Sequence, residues 1–125
     1  MYETKPFGNV KQNNFLNAVI SVETDYNLKE FFYTLKNVER KLGRSISEKW
    51  GPREIDLDLL FYNGEIYSDS EITVPHIGIA ERDFVIVPLC DIAPDFVHPE
   101  TQNKISEIDL TRIEKNIIFK TNYNL

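Results

Sequence analysis

An apolar run with two carboxylates set into it, Glu54 to Tyr62 (EIDLDLLFY), stands immediately before Asn63-Gly64. Asn-Gly between apolar runs is the strongest short-range hairpin signal, because the favoured two-residue turn needs positive φ at both central positions. Residues 54–62 are therefore expected to form a strand and Glu65 to Tyr67 its return strand. Ile55, Leu57 and Leu59 alternate with Asp56 and Asp58, so the strand must cover one face and expose the other. A chain that contains such a strand must supply a sheet and something to lay on it.

The rest of the sequence offers both. Phe15 to Glu23 (FLNAVISVE) reads as a second strand, with Phe15, Asn17, Val19 and Ser21 on one face and Leu16, Ala18, Ile20 and Val22 on the other. The second face is wholly apolar and is expected to meet a core. Leu28 to Leu42 has helical spacing, with Phe31, Leu35, Val38 and Leu42 in a stripe. Asn27 is placed to cap it, Glu30 occupies the capping-box position, and Gly43 is expected to end it. Tyr2 to Asn14 and Ser45 to Pro52 read as loops. Pro75 to Pro94 is expected to be helical in two pieces, and the last ~30 residues to form short peripheral elements. Strands and helices in this order predict an α+β fold with a mainly antiparallel sheet, residues 1–125 forming a single domain.

Composition narrows the partners. A net charge of −6 with no long basic stretch argues against a nucleic-acid or anionic-membrane surface. A local basic cluster, Arg40, Lys41, Arg44, Lys49 and Arg53, can still hold a small polyanion. The single cysteine, Cys90, excludes an internal disulfide and sits in an apolar run, where it reads as a small core residue. No apolar stretch approaches the ~20 residues of a membrane span, and the N-terminus lacks a signal-peptide pattern. A soluble protein of the cytoplasm is expected.

The chemistry concentrates near Asp56 and Asp58. Residues i and i+2 of a strand share a face, so the two carboxylates project together and repel unless a cation lies between them. Mg²⁺ favours such hard oxygen ligands and fills the rest of its shell with water and phosphate. The plainer reading is a solvated strand face, although Asp is disfavoured in strands. Arg53 and Arg44 precede the pair; guanidinium groups clamp phosphate oxygens, and equally form surface salt bridges. His76 and Arg82 alone read as a hydrogen-bonded histidine and a surface charge. No Walker-type loop and no GxGxxG is present, so ATP binding would use another route.

GPREIDLDLLFY (Gly51 to Tyr62) resembles the signature of the 6-hydroxymethyl-7,8-dihydropterin pyrophosphokinases, enzymes of folate biosynthesis. YETKPFG (Tyr2 to Gly8), FLNAV (Phe15 to Val19) and VPHIGIAERDFVIVPLCDIAP (Val74 to Pro94) agree in order and spacing, so the resemblance covers essentially the whole chain. It implies a ferredoxin-like sandwich and transfer of pyrophosphate from ATP to the hydroxymethyl group of a reduced pterin, releasing AMP. By position, Asp56 and Asp58 would ligate two Mg²⁺ ions that grip the ATP phosphates. Arg44, Arg53, His76 and Arg82 match phosphate-contacting positions, with Arg44 and Arg82 the better candidates for stabilising charge that develops on transfer. Trp50 matches a loop that closes over the site, and Glu39 and Thr73 match positions near the nucleotide. Phe15 and Phe84 would sandwich the pterin, Asn17 would hydrogen-bond its amide edge, and the backbone around Thr4, Lys5 and Phe7 would complete its recognition.

The chain departs from the family pattern in three places. About forty N-terminal residues, one strand ending in Gly-Ser-Asn, a helix and part of a second strand, are expected before Met1, which falls inside that second strand (one β-α-β half of the fold). The expectation is an N-terminally truncated chain, with an unpaired sheet edge and exposed apolar surface. Ile46 stands where a basic residue is frequent, and Ile77 where some members have an aromatic. A monomer is expected from the resemblance, and a dimer if the edge is open. The alternatives are an inactive pterin- or nucleotide-binding remnant, an assembly module, or a metal-dependent phosphohydrolase, the last lacking an obvious general base.

Overall fold

The structure, a computed structural model, describes residues 1–5, 15–45 and 55–122, with only the backbone of residues 44 and 45. The chain forms two compact units, one from residues 1–22 with 77–125 and one from residues 23–76.

The first unit is built on a three-stranded antiparallel sheet. Its strands are β1 (Tyr2–Thr4), β2 (Phe15–Asn17) and β5 (Ile117–Lys120), in the order β2-β1-β5. The expected loop at Tyr2 to Asn14 thus begins with the central strand. Tyr2 and Thr4 are both buried, at the period of two that a strand requires. Three residues are too few to show that period in a sequence. β5, four residues at the edge of the sheet, is among the short peripheral elements expected at the C-terminus: Glu3 pairs with Leu16 on one side and Phe119 on the other. Between Glu3 and Thr4 the register with β5 shifts, the mark of a bulge.

Helix α2 (Asp83–Ile92) follows a 3₁₀ turn at Ile79–Glu81, as two helical pieces were expected over Pro75 to Pro94. Pro88 lies inside α2 and has no N–H to give its ladder. Ile79, Ile86, Leu89 and Ile105 are buried and form the apolar mass of this unit. The Tyr2 hydroxyl donates to the Asp91 carboxylate, and Lys120 Nζ lies 3.5 Å from the same carboxylate, so helix and both strands meet there. Burial, then the Asp91 hydrogen bond and charge, push the Tyr2 phenol up to about 12.

The expected strand Phe15 to Glu23 is cut short. Its ladder stops at Asn17, and residues 18–24 have no strand pairing. Tyr2 is the partner of Asn17, so only Met1 remains on β1 beyond that point. The face expected in the core is instead in solvent, with Leu16 52%, Ile20 64% and Val22 52% exposed. Alternation shows which face would be buried; it cannot supply the neighbour.

The second unit centres on helix α1 (Leu28–Ser45). The capping box forms as expected: Glu30 N–H donates to Asn27 Oδ1 at 2.9 Å, and Asn27 N–H to Glu30 Oε1 at 3.2 Å. The helix runs two residues past Gly43, which therefore does not end it. The expected stripe holds in part: Phe31 and Leu35 are half-buried, but the buried side is turned toward Leu28, Phe32 and Glu39. Val38 and Leu42 are 40% and 42% exposed, while Leu28 and Glu39 are buried and Phe32 packs beside Leu28. Leu28, Ile72 and Val74 make the core, covered by Phe32, Leu59, Tyr62 and Tyr67.

The hairpin is displaced. Asn63 takes φ 51°, the left-handed region that favours Asn and Gly, and Glu65 N–H donates to the Tyr62 carbonyl at 3.1 Å. The turn forms without the return strand. Instead β3 (Tyr67–Ser68) pairs with β4 (Thr73–Val74), and Asp69 Oδ1 closes that turn on the N–H groups of Glu71 and Ile72 at 2.8 and 2.7 Å. Residues 55–61 alternate half-buried and exposed through Asp58, as a strand would, but carry no strand pairing.

Candidate functional site

Side chains of α1 take the place of a neighbouring strand at Leu57. The Leu57 N–H donates to Glu39 Oε2 at 2.5 Å, and the Leu57 carbonyl accepts from Lys36 Nζ at 3.2 Å. Lys36 and Glu39 are themselves paired at 3.4 Å, one helical turn apart. Both main-chain groups of the residue between Asp56 and Asp58 are therefore held by one ion pair. Three residues on, the Leu60 carbonyl accepts from the His76 N–H at 2.9 Å. Ile55, Leu57 and Leu59 are half-buried, while Asp56 and Asp58 are exposed on the opposite face.

That arrangement suits a magnesium ion with few protein ligands. Two hard carboxylates share one face on a braced backbone, and no group of three or more His, Cys, Asp or Glu side chains gathers among the described residues. Any ion held there would complete its shell with water and phosphate oxygens, which is how Mg²⁺ is usually bound.

The other nucleotide candidates fall out unevenly. Glu39 is buried and engaged with Leu57 and Lys36, so in this structure it braces the carboxylate segment. Thr73 is exposed on β4 and its hydroxyl lies 3.2 Å from that of Ser68. His76 is half-buried beyond the cis Val74–Pro75 bond. Arg44 falls in the last turn of α1. Phe7, Trp50 and Arg53 lie outside the described residues, as does the side chain of Arg44.

The first unit brings together three of the residues assigned to the pterin. Thr4 and Phe15 face each other across β1 and β2, and Asn17 Nδ2 donates to Thr4 Oγ1 at 2.6 Å. The half-buried amide of Asn17 thus has the partner it requires. Phe15 is 40% exposed, on the edge strand of the sheet. The Lys5 N–H is engaged with the Asn116 carbonyl at 3.0 Å, which removes it from the expected ligand contacts. Phe84 stands in the first turn of α2, half-buried, with the Arg82 guanidinium carbon 5.9 Å from its ring centroid.

Gly78 makes room for that guanidinium. A Cβ at Gly78 would lie 2.9 Å from both Cζ and Nε of Arg82 and 3.2 Å from Nη1. Gly78 has φ −85°, a conformation open to any residue, so the glycine serves space and not backbone freedom. Lys36, Gly78 and Asp83 are the residues that sequence reasoning missed. Lys36 and Asp83 act through contacts between segments distant in sequence, and Gly78 through the space it leaves for Arg82, four residues on. The one available signal was Gly78, a glycine without the turn residues that usually accompany it.

Several known proteins resemble this chain. Residues 1–94 match the family described as 7,8-dihydro-6-hydroxymethylpterin-pyrophosphokinase. The chain is 39% identical over 107 residues to a 2-amino-4-hydroxy-6-hydroxymethyldihydropteridine pyrophosphokinase of Aquifex aeolicus, covering 86% of this chain and 67% of that one. It is 40% identical over 101 residues to the enzyme of the same name from Haemophilus influenzae, covering 81% and 63%. A folic acid synthesis protein of Dictyostelium discoideum is 40% identical over 99 residues, 79% of this chain and 15% of that far longer one.

Proposed function

Because the chain belongs to the 7,8-dihydro-6-hydroxymethylpterin-pyrophosphokinase family, we propose that it transfers pyrophosphate from ATP to the hydroxymethyl group of 6-hydroxymethyl-7,8-dihydropterin, on a ferredoxin-like scaffold. The pterin hydroxyl oxygen attacks the β-phosphorus. The bond from that phosphorus to the oxygen bridging the α-phosphate breaks, AMP leaves, and the hydroxyl proton passes to water.

The observation that carries this reading is the braced carboxylate pair. Asp56 and Asp58 stand exposed on one face, with Leu57 between them held through both its N–H and its carbonyl. Two Mg²⁺ ions bound there would neutralise the triphosphate and polarise the phosphorus under attack. Arg82, and Arg44 with it, would meet the charge that develops on the transferred group. His76, Arg53 and Thr73 would hold the nucleotide, with Glu39 fixing the carboxylate segment and Trp50 closing over it. Phe15 and Phe84 offer flat apolar faces to the pterin ring, and Asn17, oriented by Thr4, reads its amide edge beside the Phe7 backbone.

The test is AMP formation from ATP with Mg²⁺ and the hydroxymethyl dihydropterin. AMP is expected only when all three are present, and Asp56→Ala or Asp58→Ala should abolish it with the fold intact. AMP without pterin, or none from a folded sample, overturns the proposal. The exposed Leu16, Ile20 and Val22 favour a second reading, an assembly module that binds a second copy of itself. Its mark is a dimer in light scattering with substrate binding but no turnover.

A further inference from the structure

Asp83 opens α2 between Arg82 and Phe84, yet its own side chain turns inward and is only 8% exposed. Its Oδ2 accepts from the N–H of Asn116 at 2.9 Å and of Ile117 at 3.0 Å, where β5 begins. Asn116 is 1% exposed, and its carbonyl accepts from Lys5 at 3.0 Å. Ile117 pairs with Thr4, the last residue of β1, across the bulge. Thr4 Oγ1 in turn accepts from Asn17. One connected path therefore runs from the start of α2, through the start of β5, to the strand pair that carries Thr4 and Asn17.

The bulge explains why such a tie is useful. A bulge leaves one residue unpaired and disrupts the ladder locally, so few ladder bonds remain in a strand of three residues, and a one-residue slip would turn every side chain to the other face. An ionised carboxylate that accepts two backbone N–H groups makes charge-assisted bonds, roughly twice as strong as neutral ones. It fixes β5 against α2 at the residue where β1 and β5 lose step.

We propose that Asp83 is a positioning residue for the pterin: through Asn116 and Ile117 it sets Thr4 and Asn17 relative to Phe84, its neighbour on α2. The proposal rests on the pterin reading above. It assigns Asp83 no contact with substrate. Asp56, Asp58, Thr73 and His76 belong to the other compact unit, whereas Arg82 adjoins Asp83 and would act on charge that develops during transfer, so its displacement would appear in kcat and not in the ATP KM.

The experiment combines kinetics with amide hydrogen exchange on the full chain. Asp83→Ala removes both acceptor bonds. Asp83→Asn is isosteric, and its oxygen can keep them, since Oδ1 of Asp83 has no hydrogen-bond partner among the described residues. The alanine variant is expected to raise the pterin KM about tenfold, as a displacement of recognition groups does, with the ATP KM within about twofold. The asparagine variant should fall between it and the wild type. In the wild type, adding the pterin should slow exchange at the Asn116 and Ile117 amides, because coupling is reciprocal; ATP alone should not. That measurement stands even if the alanine variant fails to fold. Equal rises in both KM values, or pterin binding that leaves the two amides unchanged, overturns the role of Asp83. A wild-type chain that neither binds nor turns over the pterin overturns the functional reading, and this proposal with it.

Discussion

Replacing Gly78 by alanine separates activity from stability. The new methyl carbon would stand 2.9 Å from Cζ and Nε of Arg82. Ordinary carbon contact begins at about 3.5–4.0 Å, so the guanidinium must retreat by roughly 0.6–1.1 Å. The backbone at Gly78 already has φ −85° and ψ 0°, which alanine adopts without strain. The intruding contact is with the end of a flexible side chain, which can swing aside. Stability should therefore change by under about 1 kcal/mol, and restricting the unfolded chain offsets part of any loss. Catalysis should not be spared. In the role proposed for Arg82, a displacement of about 1 Å from the developing charge can cost up to 10²-fold. The expected result is a ten- to hundredfold fall in kcat, measured as AMP release, with Tm within about 3 °C of wild type, the scale of a sub-kcal change. In an Arg82→Ala background, Gly78→Ala should have no further effect on kcat, since the path through Arg82 is already gone. An unchanged kcat would refute the reasoning, and so would a collapse of Tm, which would mean the glycine is needed by the backbone.

Three further outcomes follow from the structure. Glu39→Ala strips the Leu57 N–H of its acceptor, at a cost of about 1–3 kcal/mol if nothing replaces it; weaker Mg²⁺-dependent ATP binding by calorimetry is expected, whereas Glu39→Gln should recover most of it. Ile72→Ala should lose about 2–5 kcal/mol in urea unfolding because Ile72 is 1% exposed, while Ile20→Ala, 64% exposed, should stay within about 0.5 kcal/mol. The Tyr2 phenol is raised from 10.0 to about 12 in the folded chain, so the folded state holds this proton more tightly than the unfolded state does. Its contribution is complete below pH 10 and is lost as the pH climbs toward 12; Tyr2→Phe should flatten that stretch of the urea-midpoint profile.

Several local patterns were legible in the sequence, although Gly43 did not end α1 and no return strand followed Asn63-Gly64 directly. The Asn27–Glu30 capping box, the turn at Asn63-Gly64 and the helical pieces around Phe84 each depend on residues a few positions apart, and each formed. The family was legible for a different reason, since GPREIDLDLLFY holds its chemistry within one short run. The larger departures concern which segment lies opposite which. Phe15 to Glu23 alternates correctly, but a strand exists only with a neighbour, and β1 reaches only as far as Asn17. The stripe on α1 had the right spacing and was turned by one residue, because Ile72 and Val74 decide which side is buried.

Sequence alone, then, determined the kind of groups present: two carboxylates with alternate spacing, arginines nearby, and aromatics with an asparagine on the same strand face as Phe15. The tertiary structure decided how those groups are held. Lys36 and Glu39 grip Leu57 between the carboxylates, Gly78 yields its volume to Arg82, and Asp83 ties Asn116 and Ile117 to the start of α2. The grips on Leu57, Asn116 and Ile117 join residues far apart in the chain, whereas Gly78 and Arg82 are four residues apart and meet at the two ends of one short turn. A sequence pattern records which face a side chain takes; only the folded chain fixes what lies opposite.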